Sequence, residues 1–240
     1  MKAEDLRAAL TSGTPRHIHL IGVAGSGMSG IAALLLGLGH HVSGSDKVDT
    51  IEVDRLQKKG LRFHTPHSAE CVSDAEIVLY SSAIKAGNPA FDEAVRLGIP
   101  MARRADSLAA MMASRKGIIV CGMHGKTTTS AMAAHVLRGG GLKPSHYVGA
   151  EIPILGTNAR WDSEGEYFVA EGDEERMSIG YRKFIREHAD LFEGVDAMWG
   201  GGGSEGCVFV ELITSGSSWG RGPNYSDIHG GNKRSVDAPA

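Results

Sequence analysis

The stretch VCGMHGKTTTSAMAAH, residues 120–135, joins an apolar run to a helix of small residues through a loop rich in glycine and threonine. The standard phosphate loop GxxxxGK[ST] would require glycine at position 120, where Val120 stands, so the motif is a shortened variant. Backbone N–H groups of such a loop surround a phosphate, and its lysine reaches the β- and γ-phosphate oxygens. The stretch therefore predicts a strand–loop–helix unit that binds a nucleoside triphosphate. A threonine N-cap beside an exposed lysine is the alternative, and it leaves the two glycines unexplained.

A metal ligand is expected on a strand next to this loop. The hydroxyl of Thr127 can bind Mg²⁺, and Glu171 ends the apolar run YFVAE, where a second metal ligand is needed. A solvated acidic turn is the alternative for Glu171, with Asp173 and Glu174 close behind it. The residues expected at the nucleotide are Gly122, Met123, His124, Gly125, Lys126, Thr127 and Thr128.

A second glycine motif, GSGMSG at residues 25–30, follows the apolar run HIHLIGV and opens a helical pattern. Glycine at these positions allows a tight turn and lets backbone N–H groups approach a diphosphate at the positive end of the helix. Asp46 ends the next predicted strand, where an acid can accept hydrogen bonds from a ribose or a similar polyol. NAD is the default ligand of this motif, and the diphosphate of a UDP-sugar suits the same geometry. A glycine turn that only packs a helix against a sheet is the alternative.

Strand-like and helix-like segments alternate along residues 1–106, which predicts an α/β domain with a mostly parallel, Rossmann-like sheet covered on both faces. A second strand–loop–helix unit spans residues 107–174 and contains the phosphate loop, so we expect an incomplete P-loop α/β domain there. Residues 175–240 are rich in Gly, Ser and Pro, a composition that buries little, and we expect a divergent, poorly ordered tail. Within it, CVFVELI at residues 207–213 is the one segment typical of a strand.

Composition and charge limit the function. A net charge of −3 over 240 residues gives no electrostatic footprint for nucleic acid. The three cysteines, Cys71, Cys121 and Cys207, are widely spaced, which favours a reducing cytoplasm over a disulfide framework or a zinc site. Since no 18 apolar residues follow one another, we expect no membrane span. These features are typical of a cytoplasmic protein that binds neither nucleic acid nor a membrane.

The two nucleotide loops and the segments around them resemble the Mur ligase family. The likeness covers residues 15–174 and rests on these segments in this order: HIHLIGVAGSGMSGIA, SGSD, YSSAIKAGNPAFDEA, IPMARRADSLAAMM, GMHGKTTTSAMAAHVL, HYVGAEIPILGTNARW and YFVAEGDE. The resemblance implies an ATP-dependent carboxylate–amine ligase of peptidoglycan precursor synthesis, in the branch that joins L-alanine to UDP-N-acetylmuramate. A carboxylate resists attack because it is an anion. Phosphorylation by ATP converts it to an acyl phosphate, which the amine can attack.

By that resemblance, residues 1–106 bind the UDP-sugar, and residues 107–174 are a partial Mur ligase ATP-binding domain with Mg²⁺ as cofactor. Lys126 and His124 are the expected catalytic residues, with His124 between the two substrates. Since Lys126 and Mg²⁺ would neutralise phosphoryl charge, catalysis is expected to consist of positioning and electrostatics. The residues expected at the UDP-sugar are Gly25, Ser26, Gly27, Met28, Ser29, Asp46, Ser81 and Ser82.

The family pattern stops after Glu174, where the sequence continues as ERMSIGYRKF. We therefore expect a truncated ligase with little or no turnover alone, whose following residues come from a shifted reading frame or an aberrant join. Three alternatives stay open. A sibling ligase would attach a tripeptide to the same UDP-sugar, and a non-catalytic fragment would bind the UDP-sugar alone. A nicotinamide oxidoreductase would leave GMHGKTT without a role.

Overall fold

The computed structural model describes residues 1–121 and 125–172, together with the backbone of residues 195–203 and 206–213. The helices are α1 (Ala3–Thr11), α2 (Ser26–Gly37), α3 (Ile51–Gln57), α4 (Pro89–Arg96), α5 (Arg104–Met112) and α6 (Lys126–Gly139), with a 3₁₀ turn at Ala69–Val72. The strands are β1 (His17–Ile21), β2 (His41–Ser45), β3 (Arg62–His64), β4 (Ile77–Tyr80), β5 (Met101–Arg103), β6 (Lys116–Cys121), β7 (Ser145–Tyr147), β8 (Ala159–Arg160), β9 (Tyr167–Glu171), β10 (Val195–Gly203) and β11 (Gly206–Ile213).

The first five strands form one parallel sheet in the order β3-β2-β1-β4-β5. Every residue of the central strand β1 is buried, as expected for a strand with helices on both faces of its sheet. The core between sheet and helices is aliphatic, with Ile18, Leu20, Leu34, Leu35 and Leu79 fully buried. The predicted Rossmann-like α/β fold is confirmed. Neighbours β1 and β4 place their carboxyl ends side by side, where open α/β sheets bind ligands.

Helix α1 was not predicted from the sequence. Leu6 and Leu10 are four residues apart, so they share one helix face, and both are buried. Glu4, Asp5 and Arg7 are exposed on the same helix, so the segment has the mixed charge of a solvated terminus in the sequence. The helix packs against α5, which follows the last strand of the first sheet.

The remaining described strands form a second, mixed sheet in the order β10-β11-β6-β9-β7-β8. Strands β6, β9 and β7 run parallel, while β8, β10 and β11 pair antiparallel with their neighbours. Strand β11 confirms the strand predicted at residues 207–213. Strand β10 was missed, because its sequence VDAMWGGGG is rich in glycine, which has low β propensity. The other residues of the predicted tail, 175–194, 204–205 and 214–240, lie outside the described residues.

Helix α2 connects the two sheets through its glycines. Gly30 faces the ring of Tyr147, whose Cε2 lies 2.7 Å from the position that a Cβ at Gly30 would occupy. Gly37 faces Trp161 with a matching distance of 2.8 Å to its Cβ. Side chains at these two positions would push the β7–β8 hairpin away from α2. Because both residues are glycine, the helix and the hairpin can lie in close contact. None of the described helices has the length and apolar character that a bilayer span requires.

Candidate functional site

The first glycine motif forms the turn between β1 and α2, as predicted. Gly22 adopts a left-handed φ of 88°, a conformation that favours glycine. Gly25 is the N-cap of α2, and among the described residues no side chain caps this end. The first N–H groups of the helix therefore point to the carboxyl edge of the sheet, where an anion can accept from them.

Asp46 holds this turn in place. Its Oδ2 accepts a hydrogen bond from the backbone N–H of Ala24 at 2.9 Å, and its Oδ1 accepts from Lys47 at 2.7 Å. A carboxylate has about four acceptor positions, so the group retains capacity for a sugar hydroxyl. Asp46 thus supports the phosphate turn, a role that sequence analysis did not give it, and its contact with a sugar stays a prediction.

Ser81 and Ser82 follow β4 at the same edge of the sheet. The backbone N–H of Ser81 donates to the carbonyl of Ile21 at 3.3 Å, and its Oγ accepts from Ala83. The Cβ of Ser81 lies 3.5 Å from the position of a Cβ at Gly22, whereas Ser82 is exposed. The structure therefore brings Ser81 next to the glycine turn.

The second glycine loop leads into α6. Gly125 is its N-cap with a left-handed φ of 75°, and Lys126 begins the helix with a side chain that is buried, 5% exposed as a residue. Thr127 is half-buried and Thr128 is exposed on the first turn. The expected contacts of Gly122, Met123 and His124 lie outside the described residues. A buried lysine at a helix N-terminus contradicts the alternative in which Lys126 is a solvated surface residue.

Glu171 meets Thr127 at the end of two neighbouring parallel strands. Strand β9 pairs with β6 so that Glu171 lies opposite Val120, the residue where the quoted motif begins. The hydroxyl of Thr127 donates to Oε1 of Glu171 at 3.0 Å, and the backbone N–H of Gly149 donates to Oε2 at 2.6 Å. A Cβ at Gly149 would lie 2.7 Å from that oxygen, so glycine leaves room for the carboxylate. The alternative of a freely solvated acidic turn does not fit these bonds.

The side-chain oxygen atoms at the start of α6 and the end of β9 are suited to bind the Mg²⁺ of a nucleotide. The hydroxyl of Thr127 and the carboxylate of Glu171 are hard oxygen ligands, which Mg²⁺ prefers. Within residues 1–121 and 125–172, no cluster of three or more His, Cys, Asp or Glu side chains could hold a metal. Mg²⁺ here would therefore take its other ligands from phosphate and water, as it does in nucleotide sites.

A pair of polar side chains ties the first glycine turn to the second sheet. The hydroxyl of Tyr147, at the end of β7, donates to the carbonyl of Gly27 at 3.0 Å and accepts from Nη1 of Arg104 at 3.0 Å. The amide Nδ2 of Asn158 donates to the carbonyl of Ser26 at 3.3 Å. Sequence analysis missed these residues, because only the folded chain brings positions 120 or more apart together.

A chain of hydrogen-bonded histidines and serines lies between β1 and β2. His17 and His19 share the hydroxyl of Ser43 at 2.9 and 2.8 Å, and Ser45 bonds both His19 and His67 at 3.0 and 2.9 Å. Burial lowers the pKa of His19 to about 3, and the neighbouring imidazoles add to the effect. His19 is therefore neutral at physiological pH, and the serine hydroxyls satisfy it.

Known proteins resemble this chain in sequence. Residues 17–116 match the family described as "Mur ligase family, catalytic domain". The UDP-N-acetylmuramate–L-alanine ligase of Pelotomaculum thermopropionicum is 46% identical over 159 residues, which cover 66% of this chain and 34% of that protein. The enzyme of the same name from Koribacter versatilis is 42% identical over 189 residues, 75% of this chain and 40% of that protein. The chain thus spans well under half the length of these curated relatives.

Two solved ligase structures also resemble this chain. A UDP-N-acetylmuramate:L-alanyl-γ-D-glutamyl-meso-diaminopimelate ligase from Neisseria meningitides superposes with a TM-score of 0.62 at 29% identity, covering 67% of this chain and 53% of that one. A UDP-N-acetylmuramate–alanine ligase from Thermotoga maritima gives 0.60 at 29% identity, with coverages of 65% and 36%.

Proposed function

We propose that this chain, which carries a Mur ligase family domain in residues 17–116, is part of an ATP-dependent ligase that joins L-alanine to UDP-N-acetylmuramate. Relatives named for this activity align with 66% and 75% of the chain. The aligned residues cover 34% and 40% of the length of those relatives, and the two sites formed by the described residues are ones that would bind substrates. Substrate binding is therefore the activity proposed for it.

The UDP-sugar is proposed to bind at the carboxyl edge of the first sheet. Its diphosphate would accept from the N–H groups at residues 25–29, at the positive end of α2. Asp46 keeps the turn closed through Ala24, and Ser81 stands beside it. The absence of a side-chain cap on this described helix end supports the assignment, because the N–H groups there need an acceptor.

The magnesium nucleotide is proposed to bind at the N-terminus of α6. Lys126 and the backbone of the loop would hold the phosphates, while Thr127 and Glu171 would hold the metal. ATP supplies the phosphoryl group that turns the substrate carboxylate into an activated acyl group. The positive charge of Lys126 stabilises the negative charge that develops on that group during transfer. His124 is proposed to lie between the two substrates.

One observation carries the proposal. At each of two parallel-strand edges, a glycine loop leads into a helix, and a strand-end acid bonds a residue of the loop or the helix start. Asp46 accepts from Ala24 at the first edge, and Glu171 accepts from Thr127 at the second. A dinucleotide-binding oxidoreductase would need the first arrangement alone. A ligase that activates a sugar-linked carboxylate with ATP needs both.

Titration calorimetry tests the proposal with UDP-N-acetylmuramate, Mg²⁺–ATP and NAD as separate ligands. We expect binding of the first two and none of NAD, with no phosphate release when L-alanine is added. Binding of NAD without UDP-N-acetylmuramate would contradict the ligase assignment. Phosphate release that depends on L-alanine would show that the chain turns over by itself.

A second ligase of the same class is the competing candidate. The Neisseria structure is named for a peptide substrate and superposes as well as the alanine ligase from Thermotoga. Both would bind UDP-N-acetylmuramate, so the amine substrate separates them. Since no phosphate release is expected from this chain, calorimetry makes that comparison, with L-alanine and the tripeptide L-alanyl-γ-D-glutamyl-meso-diaminopimelate titrated separately into the chain loaded with UDP-N-acetylmuramate and Mg²⁺–AMP-PNP.

A further inference from the structure

The segment Tyr147–Val148–Gly149 touches both phosphate sites within three residues. At one end, the hydroxyl of Tyr147 donates to the carbonyl of Gly27 at 3.0 Å, in the first turn of α2. At the other, the N–H of Gly149 donates at 2.6 Å to Glu171, the acid of the second site. We call this segment the bridge.

Both ends of the bridge are closely packed. A Cβ at Gly30 would lie 2.7 Å from the Tyr147 ring, and a Cβ at Gly149 would lie 2.7 Å from Oε2 of Glu171. Between them, Val148 is buried, and its N–H donates to the carbonyl of Asn158 at 2.8 Å. Because such contacts are closely packed, neither end of the bridge can move freely. A shift of Gly149 therefore displaces Tyr147.

From these contacts we propose that Tyr147 is a positioning residue that couples the two nucleotide sites. The inference rests on the proposed function, because it takes the ligands of both sites from there. When the Mg²⁺ of the bound nucleotide coordinates the Glu171 carboxylate, the carboxylate shifts. The N–H of Gly149, which is hydrogen-bonded to that carboxylate, moves with it. Tyr147, two residues earlier, then changes the position of the Gly27 carbonyl and the diphosphate turn around it. Linkage makes the effect reciprocal, since each ligand changes the affinity of the other by the same factor.

Arg104 sets the geometry of the Tyr147 hydroxyl. Its Nη1 donates to that oxygen at 3.0 Å, which leaves the hydroxyl hydrogen to point at Gly27. The stem of Arg104 runs along Gly27, with Cδ 3.0 Å from the position of a Cβ there. Among the described residues, the phenol oxygen accepts from Arg104 and donates to Gly27, so replacing Tyr147 by phenylalanine removes both bonds and keeps the ring.

Calorimetry on the full chain tests the coupling with the Tyr147→Phe variant. The affinity for UDP-N-acetylmuramate is measured with and without saturating Mg²⁺–AMP-PNP, a non-hydrolysable ATP analogue. In the wild type we expect the analogue to change that affinity by about fivefold or more. In Tyr147→Phe we expect no change, with the affinity for AMP-PNP alone retained. Tyr167→Phe removes a hydroxyl elsewhere on the same sheet and should keep the wild-type factor.

Hydrogen exchange supplies a second measurement that does not depend on the variant folding. Adding Mg²⁺–AMP-PNP to the wild type should change the exchange of amides at residues 24–29, which lie in the other site. Unchanged exchange there, or an equal coupling factor in wild type and Tyr147→Phe, would overturn the inference. Failure of the wild type to bind either ligand alone would instead overturn the proposed function.

Discussion

Thr127 and Glu171 lie 44 residues apart in the chain and are joined by a hydrogen bond of 3.0 Å. The bond exists because β6 and β9 are parallel neighbours, which brings the start of α6 next to the last residue of β9. The same carboxylate accepts from Gly149, so the side chain of Glu171 is bonded from two sides. Both bonds restrict the orientation of the carboxylate that we propose as a metal ligand.

Replacing Lys126 by methionine should weaken binding of Mg²⁺–AMP-PNP by about 10- to 100-fold, the effect of losing one charged hydrogen bond. Methionine keeps the apolar length of the buried stem, so the fold should be retained. Lys116→Met is the matched control, since that lysine is exposed and pairs with Glu166. Calorimetry measures both variants. An equal loss in both would remove Lys126 from the nucleotide site.

Replacing Glu171 by glutamine should reduce the dependence of nucleotide binding on Mg²⁺. The amide oxygen can still accept from Gly149 or Thr127, but it lacks the charge that attracts the cation. We expect the ratio of affinities measured in Mg²⁺ and in EDTA to fall by about tenfold. Glu166→Gln, five residues earlier and exposed, should leave the ratio unchanged. A ratio that survives in Glu171→Gln would mean that the metal is held elsewhere.

Asp46→Ala should lower the affinity for UDP-N-acetylmuramate by about tenfold, because the Ala24 and Lys47 N–H groups lose their acceptor and the turn loosens. Asp49→Ala, three residues later and exposed, serves as the control. The affinity for AMP-PNP should be the same in both variants. The role given to Asp46 fails if its replacement affects the two ligands equally.

Substitution by alanine should change the stability of the fold in opposite directions at two glycines that end helices. At Gly37 a Cβ would lie 2.8 Å from the Cβ of Trp161, so Gly37→Ala should destabilise the fold by about 1–3 kcal/mol. At Gly139, at the end of α6, no atom of the described residues outside its chain neighbours and the helix's own backbone lies within 4 Å of the new Cβ. There Gly139→Ala should stabilise by about 0.4–1 kcal/mol, since alanine reduces the entropy of the unfolded chain. Urea unfolding measures both changes.

Stability should fall as the pH drops below about 6.5, the pKa of an unfolded histidine. The folded-state pKa is lowered to about 3 for His19 and to about 4 for His146, in both mainly by burial. Between these values and 6.5 the unfolded chain binds more protons, so the free energy of unfolding decreases with falling pH. From pH 7.5 to 5 each histidine should cost about 2 kcal/mol.

The His19→Gln variant isolates one of these contributions. From pH 7.5 to 5, its free energy of unfolding should fall by about 2 kcal/mol less than that of the wild type. Urea unfolding at each pH measures the difference. His41→Gln is the control, because that histidine lies on the neighbouring strand and is exposed. If the free energy of unfolding of His19→Gln depended on pH as it does in the wild type, the burial of His19 would not cause the loss of stability in acid.

Local patterns predicted much of the fold. Apolar runs predicted β1, β4, β6 and β9, and the helices α2 and α4 lie in the segments expected for them. Helix α1 and the hairpin β7–β8 were missed, the first because charges hide a two-leucine face and the second because its strands are three and two residues long. Short elements carry too little periodicity for recognition.

The amino-acid sequence by itself determined that this protein has two glycine loops, each at a strand–helix junction, and two strand-end acids, because these depend on neighbours along the chain. Tertiary structure alone decided which groups those acids bind: Asp46 closes the first turn through Ala24, and Glu171 joins Thr127 and Gly149. It also decided that Tyr147 reaches Gly27 across 120 residues. Strand order and register set these contacts, and both arise from packing between distant segments, which no local pattern encodes.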